Sequence, residues 1–151
     1  MALIDIRQLT FSYPANPVPT LHGVDLQVEV GEFLALCGVS GSGKSTLLRH
    51  LKPALTPHGE KMGEIFFDGQ PLGAISERQQ SQEMGFVFQS PDDQIVTDKV
   101  WHELSFGMES LGYDSDHIRR RVAEMASFFG IEHWFEKSVE ELSGGQKQLL
   151  N

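Results

Sequence analysis

Residues 38–46, GVSGSGKST, carry residue types at a spacing that could bind phosphate groups. They fit the pattern G-x-x-x-x-G-K-[ST], with an additional glycine at Gly41. Glycines let successive backbone N–H groups point at phosphate oxygens, and a helix that follows presents its positive end to the same anion. Lys44 could then bridge the terminal phosphates, and the hydroxyl of Ser45 could bind Mg²⁺. The sequence therefore predicts nucleoside triphosphate binding.

The alternative for this stretch, which we call the phosphate loop, is a Gly/Ser-rich turn between a strand and a helix. A chance match in a chain of this length is expected on the order of 1% of the time. The flanks reduce it further, because the apolar run FLALCGV (33–39) precedes the loop and TLLRHL (46–51) begins a helical pattern after it.

Two kinds of strand are predicted near the phosphate loop. Residues 24–30, VDLQVEV, alternate apolar and polar side chains, which is typical of a strand with one wet face. Residues 33–39 are apolar on both sides, which is typical of a strand covered on both faces in a parallel sheet. The single cysteine, Cys37, lies in this run and is predicted to be a buried core residue in a reducing compartment. The pattern favours an antiparallel layer beside a parallel core.

The remaining chain reads as strands followed by a helical block. Extended segments are predicted at 3–9, at 64–69, where Asp68 begins an Asp-Gly turn, and at 84–89. Asp98 is expected to cap a helix over 99–111, and Asp114 or Ser115 a helix over 116–129 that ends at Gly130. The second helix carries an apolar stripe of Ile118, Val122, Met125, Ala126 and Phe129.

Composition limits the partners and the location. The chain has 151 residues, is 40% hydrophobic, and carries 12 basic against 21 acidic residues for a formal net charge of -9. Such a chain is repelled by nucleic acid and by anionic lipid, so neither is expected as a direct ligand. It has neither a secretory signal pattern nor about 18 consecutive apolar residues, so a cytoplasmic location is predicted. The six scattered histidines are expected at solvated positions, not as metal ligands.

Three further motifs give the chain a family resemblance. LSGGQ, at 142–146, matches the signature of ATP-binding cassette (ABC) proteins letter for letter and follows the phosphate loop in the family's order. Gln89 stands at the end of MGFVFQ, where that family keeps its Q-loop glutamine, and FSYP puts Tyr13 where an aromatic residue stacks on adenine. The chain resembles ABC ATPases from residue 3 to residue 151.

One segment carries a narrower likeness. Residues 88–112, FQSPDDQIVTDKVWHELSFGMESLG, resemble the ATPase subunits of energy-coupling-factor transporters, which power uptake of vitamins and of cobalt or nickel ions in prokaryotes. The likeness rests on Pro91, Asp92, Gln94 and Ile95, followed by a helix bearing ELSFG.

The resemblance implies a role for each matching residue. Lys44 and Gln89 would be catalytic, and Ser45 and Gln89 would reach Mg²⁺. The LSGGQ residues would contact the γ-phosphate held by a second ABC subunit in a head-to-tail dimer, which would dock on an integral membrane component at the inner face of the membrane. The implied ATP-binding residues are Tyr13, Gly38, Ser40, Gly41, Ser42, Gly43, Lys44, Ser45, Thr46, Ser143, Gly144, Gly145 and Gln146.

The resemblance also implies the fold. It is an α/β P-loop NTPase core with an antiparallel β layer, spanning residues 1–90, and an α-helical signature subdomain, spanning 91–151. Both belong to one C-terminally truncated ABC ATPase domain, because the family's Walker B Asp, catalytic Glu and switch His lie beyond the signature. The 151-residue chain alone is therefore expected to be inactive and poorly stable.

Three functions stay open at this point. The resemblance favours ATP binding and hydrolysis that energise a membrane importer. The alternative is a nucleotide-binding fragment or interaction module without hydrolysis, since the residues that activate water are not in the chain. A soluble ABC protein of DNA repair or translation is disfavoured by the acidic charge and by the segment SPDDQ.

Overall fold

The computed structural model describes residues 2–14, 16 and 18–151. The chain divides into two compact units, Met1–Met84 and Gly85–Asn151. The functional division expected between residues 90 and 91 stays a prediction.

The first unit contains a four-stranded antiparallel sheet in the order β2-β1-β3-β4. Its strands are β1 (Ala2–Ser12), β2 (Leu21–Glu29), β3 (Glu60–Phe67) and β4 (Gln70–Pro71). In β2, Val24, Leu26 and Val28 are half-buried while the polar residues between them are exposed, so the predicted alternation is confirmed as far as Val28. Val30 lies past the end of the strand and is exposed, which the pattern did not predict. The expected α/β class with an antiparallel layer is likewise confirmed.

The turn between β3 and β4 confirms the expectation for Asp68. Phe67 pairs with Gln70, which leaves Asp68 and Gly69 as a two-residue loop with φ values of 46° and 75°. Positive φ at both central residues defines a turn whose twist matches that of the flanking strands, and Asp-Gly adopts it readily.

One helix packs on this sheet and shares its core, and a second helix follows later in the same unit. Helix α1 (Lys44–His50) buries Leu47 in a cluster with Ile6, Leu9 and Phe11 of β1. Helix α2 (Glu77–Glu83) begins at Ser76, whose Oγ accepts the N–H of Gln79. The Lys52 ammonium donates to the carbonyl oxygens of Gln80 (2.8 Å) and Met84 (2.7 Å), and its burial lowers the pKa of Lys52.

Two of the predicted strands do not form. Residues 33–39 and 84–89 make no ladder with any described residue, and Phe33, Val39 and Cys37 are exposed. The predictions of a parallel core and of a buried Cys37 are therefore wrong for this chain. Apolar composition favours a buried environment, but a strand forms only where a neighbouring strand supplies hydrogen-bonding partners for its backbone.

The second unit is helical. It contains α3 (Val100–Ser110), α4 (Ser115–Phe129) and α5 (Gly144–Leu150). Its buried core comprises Val100, Ala126, Ile131, Trp134, Val139, Leu142 and Leu150. No helix in the described part of the chain is long and apolar enough to cross a membrane.

The cap predicted for α3 is wrong. Lys99, not Asp98, is the N-cap residue, and its side chain makes no capping hydrogen bond. Glu103 anchors the preceding loop instead, because its carboxylate accepts the N–H of Val96 (3.1 Å) and both the N–H and the hydroxyl of Thr97 (2.8 Å each). The Glu103 carboxylate, which lies in the first turn of α3, thus holds the preceding loop in place of a capping side chain at residue 98 or 99.

The α4 predictions hold better. Asp114 Oδ1 accepts the N–H of His117 at 2.8 Å, and this hydrogen bond lowers the pKa of Asp114. Gly130 ends the helix with φ 68°. The buried stripe is narrower than expected, since Ile118, Val122 and Ala126 are buried but Phe129 is exposed.

Gly63 gives a test of this sheet. It has φ 88°, and a Cβ there would collide with the carbonyl oxygens of Arg7 and Gln8 at the irregular step in the β1–β3 pairing. We expect Gly63→Ala to lower the free energy of unfolding by about 1 to 3 kcal/mol, as for other strained backbone positions. Gly73→Ala is the control, because a Cβ there meets nothing within 4 Å, and its change should stay within about 0.5 kcal/mol. Urea unfolding measures both, and equal stabilities would contradict the argument.

Candidate functional site

The phosphate loop has a conformation that its glycines permit. Gly41 and Gly43 have φ values of 80° and 90°, which side-chain-bearing residues rarely adopt. Gly43 is the N-cap residue of α1, and a Cβ there would lie 3.0 Å from both the carbonyl oxygen of Thr20 and Cδ2 of Leu21. The start of β2 therefore supports the turn from the loop into α1.

Lys44 bridges the two ends of the loop. Its Nζ donates to the carbonyl oxygens of Gly38 (2.9 Å) and Val39 (2.7 Å), and lies 3.4 Å from Oγ of Ser42. These acceptors carry no net charge, so hydrogen bonds to phosphate oxygens, in which donor and acceptor are both charged, would be stronger and could replace them.

Tyr13 lies beside the phosphate loop. Its hydroxyl shares a 3.1 Å hydrogen bond with Oγ1 of Thr46, and its ring packs edge-on against Phe11 with centroids 4.9 Å apart. Thr46 is buried, whereas Ser45 is exposed. Of these two hydroxyls, that of Ser45 is therefore the one accessible to a cation.

His50 is not solvated, which corrects the expectation for this residue. It is buried at the end of α1, its Nδ1–H donates to the carbonyl oxygen of Thr46 at 2.7 Å, and its ring packs against Phe11. Nε2 has no partner among the described residues. Burial lowers the pKa of His50, with a smaller contribution in the same direction from Lys61. No sequence signal indicates that His50 is buried, since a polar residue at a helix end is usually exposed.

The LSGGQ residues begin a helix, as the sequence suggests. Ser143 is the N-cap of α5: its Oγ accepts the N–H of Gln146 at 3.4 Å, while Oε1 of Gln146 accepts the N–H of Ser143 at 2.8 Å. Sequence reasoning missed this capping box, although the Ser-x-x-Gln spacing encodes it. Gln146 thus serves the fold of this turn in addition to any contact with a nucleotide.

Gly144 and Gly145 have no packing reason within the chain to be glycine. Both are exposed, and a Cβ at either would meet nothing within 4 Å. Glycine destabilises a helix relative to alanine by roughly 0.5 to 1 kcal/mol. Two glycines in open space at a helix start therefore favour close approach by another molecule.

Gln89 lies in the same unit as this turn. It is exposed, and the backbone N–H of its neighbour Phe88 donates to Oε1 of Gln94 at 2.9 Å. The phosphate loop and Tyr13 lie in the first unit. The structure thus brings together Tyr13, Lys44 and Thr46 in one unit, and Gln89 and Ser143 belong to the other.

The oxygen atoms near the phosphate loop could bind Mg²⁺ only together with the phosphates of a nucleotide. Among the described residues, no three His, Cys, Asp or Glu side chains are grouped to hold a metal. Mg²⁺ usually keeps several waters and binds through substrate phosphates plus one or two protein oxygens, and Ser45 could supply one of these.

A groove of about 520 Å³ opens on the helical unit. It lies along α3 and α4, and its wall combines aromatic and aliphatic side chains with Glu109 and Arg119. Its apolar lining residues are Trp101, Tyr113, Ile118, Val122 and Phe135.

Comparison with known proteins shows the family. The family described as "ABC transporter" matches residues 21–151, and the chain belongs to it. Over all of its length the chain is 44% identical to a putative ABC transporter ATP-binding protein of Bacillus cereus, and covers 27% of that protein. With 98% of its length it is 37% identical to the energy-coupling factor transporter ATP-binding protein EcfA of Syntrophomonas wolfei, covering 54% of it.

A solved structure agrees with the sequence comparison. The structure of cbiO1 from Clostridium perfringens, part of the ABC transporter complex cbiONQ, superposes with a TM-score of 0.82 at 30% identity. The match covers 99% of this chain and 59% of that one. The chain therefore spans about a quarter to rather more than half of the length of these relatives.

The buried imidazole of His50 predicts that the free energy of unfolding depends on pH. Its pKa is lowered in the folded state from an ordinary value of 6.5, so the unfolded chain binds more protons as the pH falls below about 6.5. Stability contributed by neutral His50 is therefore complete above that pH and is lost below it. His50→Asn, which keeps a donor near the Nδ1 position, should reduce the loss of unfolding free energy between pH 7.5 and 5.5.

The matched control is His58→Asn, since His58 is exposed in the same unit. That variant should follow the wild-type pH dependence in urea unfolding. If His50→Asn also follows it unchanged, His50 is not the group responsible.

Proposed function

We propose that the whole protein containing this chain binds and hydrolyses ATP to energise an importer of the energy-coupling-factor type, for vitamins or metal ions. The single observation that carries the proposal is the position of Lys44, whose ammonium reaches back across a G-x-x-x-x-G-K-S loop to the carbonyl oxygens of Gly38 and Val39 at its start. EcfA and cbiO1 among the relatives support the type of transporter.

In this proposal the phosphate loop holds the triphosphate of ATP. Lys44 exchanges the carbonyl oxygens of Gly38 and Val39 for oxygens of the terminal phosphates. Mg²⁺, when bound with the nucleotide, neutralises charge on these phosphates. Ser45 supplies a hydroxyl to it, Gln89 orients the attacking water, and Tyr13 stacks on adenine. Catalysis then comes mainly from positioning and electrostatic stabilisation.

The signature turn would act on a nucleotide held by a second ABC subunit. Ser143 caps the helix, and Gly144 and Gly145 begin it in open space, so the backbone N–H groups of these two glycines and the helix dipole favour an anion. The γ-phosphate bound to the partner's phosphate loop has the required charge. Two subunits arranged head to tail would each complete the other's site.

The membrane component would dock on the helical unit at the inner face of the membrane. Of the apolar residues in the 91–112 segment, Val100 is buried in the core, whereas Val96, Trp101 and Phe106 are exposed. Trp101 also lines the 520 Å³ groove with Tyr113 and Phe135. Aromatic side chains of this kind dominate the energetics of protein interfaces. The occupant in this proposal is a helix of the membrane component, as the resemblance to energy-coupling-factor ATPases implies.

Lys44→Ala tests the nucleotide site. The variant should remain folded but lose measurable Mg-ATP binding in a calorimetric titration of the whole protein. Removing one partner of a desolvated charge pair typically weakens binding by about 2 to 5 kcal/mol. Lys61→Ala is the control, because Lys61 is an exposed residue of β3 in the same unit. This variant should bind Mg-ATP as the wild type does. Unchanged affinity of Lys44→Ala would remove Lys44 from the site.

Trp101→Glu tests the docking groove. A charge in the groove should weaken assembly with the membrane component by about 2 kcal/mol or more and uncouple uptake from hydrolysis. Phe128→Glu is the control, because Phe128 is 80% exposed and does not line the groove. Coupled uptake that survives Trp101→Glu would place the docking surface elsewhere.

Phosphate release separates the two candidate functions. The whole protein should hydrolyse ATP, while the 151-residue chain should show no turnover above background, because no carboxylate of the chain is assigned to Mg²⁺ or to the attacking water. A whole protein that binds Mg-ATP without turnover would support the nucleotide-binding module instead. Turnover by the chain at the rate of the whole protein would contradict the assignment of the missing catalytic groups.

A further inference from the structure

Two contacts tie the segment after Gln89 to the signature helix α5, inside the unit Gly85–Asn151. Nζ of Lys147 lies 2.5 Å from Oδ1 of Asp92, and Nδ2 of Asn151 donates to the carbonyl oxygen of Pro91 at 3.1 Å. We call these two contacts the clamp. It joins residues 55 and 60 positions apart in the sequence.

The segment held by the clamp is itself closed by local hydrogen bonds. Pro91–Asp93 form a single 3-10 turn, and the N–H groups of Gln94 and Ile95 both donate to the carbonyl oxygen of Pro91. The side chain of Gln94 then accepts the N–H of Phe88 at 2.9 Å. A displacement of Gln89 therefore pulls on the turn that carries Asp92.

On the other side of the clamp, Lys147 is one helical turn from the N-cap of α5. Its N–H donates to the carbonyl oxygen of Ser143 at 2.9 Å, beside the capping box of Ser143 and Gln146. A pull on the Lys147 side chain therefore acts on the same turn as Gly144 and Gly145, which start the helix.

The burial of Lys147 distinguishes this ion pair from an ordinary surface pair. The side chain of Lys147 is 18% exposed and that of Asp92 is 70% exposed, whereas in the Lys99–Glu136 pair of the same unit both side chains are more exposed, at 44% and 86%, and the atoms are 3.4 Å apart. Lys147 lines a pocket of about 310 Å³ whose wall combines the apolar Ile95 and Val139 with the carboxylates of Asp92, Asp98 and Glu140, of which, among the described residues, only Asp92 is paired with Lys147. Partial removal from water strengthens a charge pair and makes an unpaired Lys147 costly.

We propose that Asp92 and Lys147 are a positioning pair that couples the segment after Gln89 to the signature turn. The inference rests on the proposed function, since it assigns to Gln89 and Ser143 the roles given above. In this proposal neither residue of the pair binds the nucleotide. The pair sets where the Ser143 turn lies when Gln89 moves, and so governs hydrolysis in the closed dimer rather than the binding of ATP to the phosphate loop.

Charge reversal tests the pair. In the whole protein, Asp92→Lys and Lys147→Asp should each lower kcat for Mg-ATP hydrolysis about tenfold, which corresponds to about 1.4 kcal/mol, and leave the Kd for Mg-ATP within about twofold. The double variant Asp92→Lys/Lys147→Asp restores the attraction and should recover most of kcat. The control, Lys99→Asp, breaks an exposed ion pair of the same unit and should leave kcat unchanged.

A second measurement does not depend on hydrolysis. Hydrogen exchange of the amides at 143–146 should be faster in each single variant than in the wild type and should return towards the wild-type rate in the double variant. If charge reversal prevents folding, Asp92→Asn supplies a milder change, which should speed exchange at 143–146 and lower kcat in the same sense.

The outcomes separate the two proposals. A wild type without turnover refutes the proposed function, while exchange at 143–146 still decides on the clamp. Single variants with wild-type kcat and exchange, or a double variant as slow as the singles, overturn the positioning pair. A loss of Mg-ATP affinity equal to the loss of kcat overturns it as well, because it would place these residues in binding.

Discussion

The close contact of Gly43 with the start of β2 is the constraint on which the candidate site depends. A side chain at this position would meet Thr20 and Leu21, so only glycine lets the chain turn there with φ 90° and enter α1 directly. That turn places Lys44 at the first residue of α1 and aims its ammonium back at the loop. Leu47 secures the same helix in the core beneath β1. The turn into α1 and the position of the Lys44 ammonium thus both depend on the contact between Gly43 and the start of β2.

The loop also explains how an acidic chain could hold an anion. A net charge of -9 repels nucleotides at long range, but within a few ångströms the charges of neighbouring groups determine whether an anion binds. Lys44 and the N-terminal N–H groups of α1 supply positive charge at one place, and Lys44 is already held there by carbonyl oxygens. An ordered cation loses less side-chain entropy when the ligand arrives.

The part of the fold that the sequence predicts is the part encoded by local rules. The phosphate loop, the Asp-Gly turn, the Asp114 cap and the alternation in β2 each depend on a few consecutive residues. Placements that depend on distant partners were not predictable. His50 is buried because Phe11 of another element covers its ring, and the Lys52 ammonium is held by the carbonyl oxygens of Gln80 and Met84, which lie 28 and 32 positions further along the chain.

The segments 33–39 and 84–89 also show that a local pattern does not decide structure without a distant partner. Their composition favours burial on both faces, yet no described strand pairs with them, so they stay without a ladder. The site is divided in a similar way: local motifs identify Lys44, Gln89 and the LSGGQ residues, while the Tyr13–Thr46 hydrogen bond and the Asp92–Lys147 pair emerge only in three dimensions.

In the proposed function, Lys44 exchanges the carbonyl oxygens of Gly38 and Val39 for phosphate oxygens when ATP binds. A crystal structure of the whole protein with Mg²⁺ and a non-hydrolysable ATP analogue measures this directly. We expect Nζ of Lys44 to lie within about 3 Å of a terminal phosphate oxygen, the distance of a charge-assisted hydrogen bond. A bound analogue with Lys44 still on the carbonyl oxygens of Gly38 and Val39, and with its phosphates elsewhere, would contradict it.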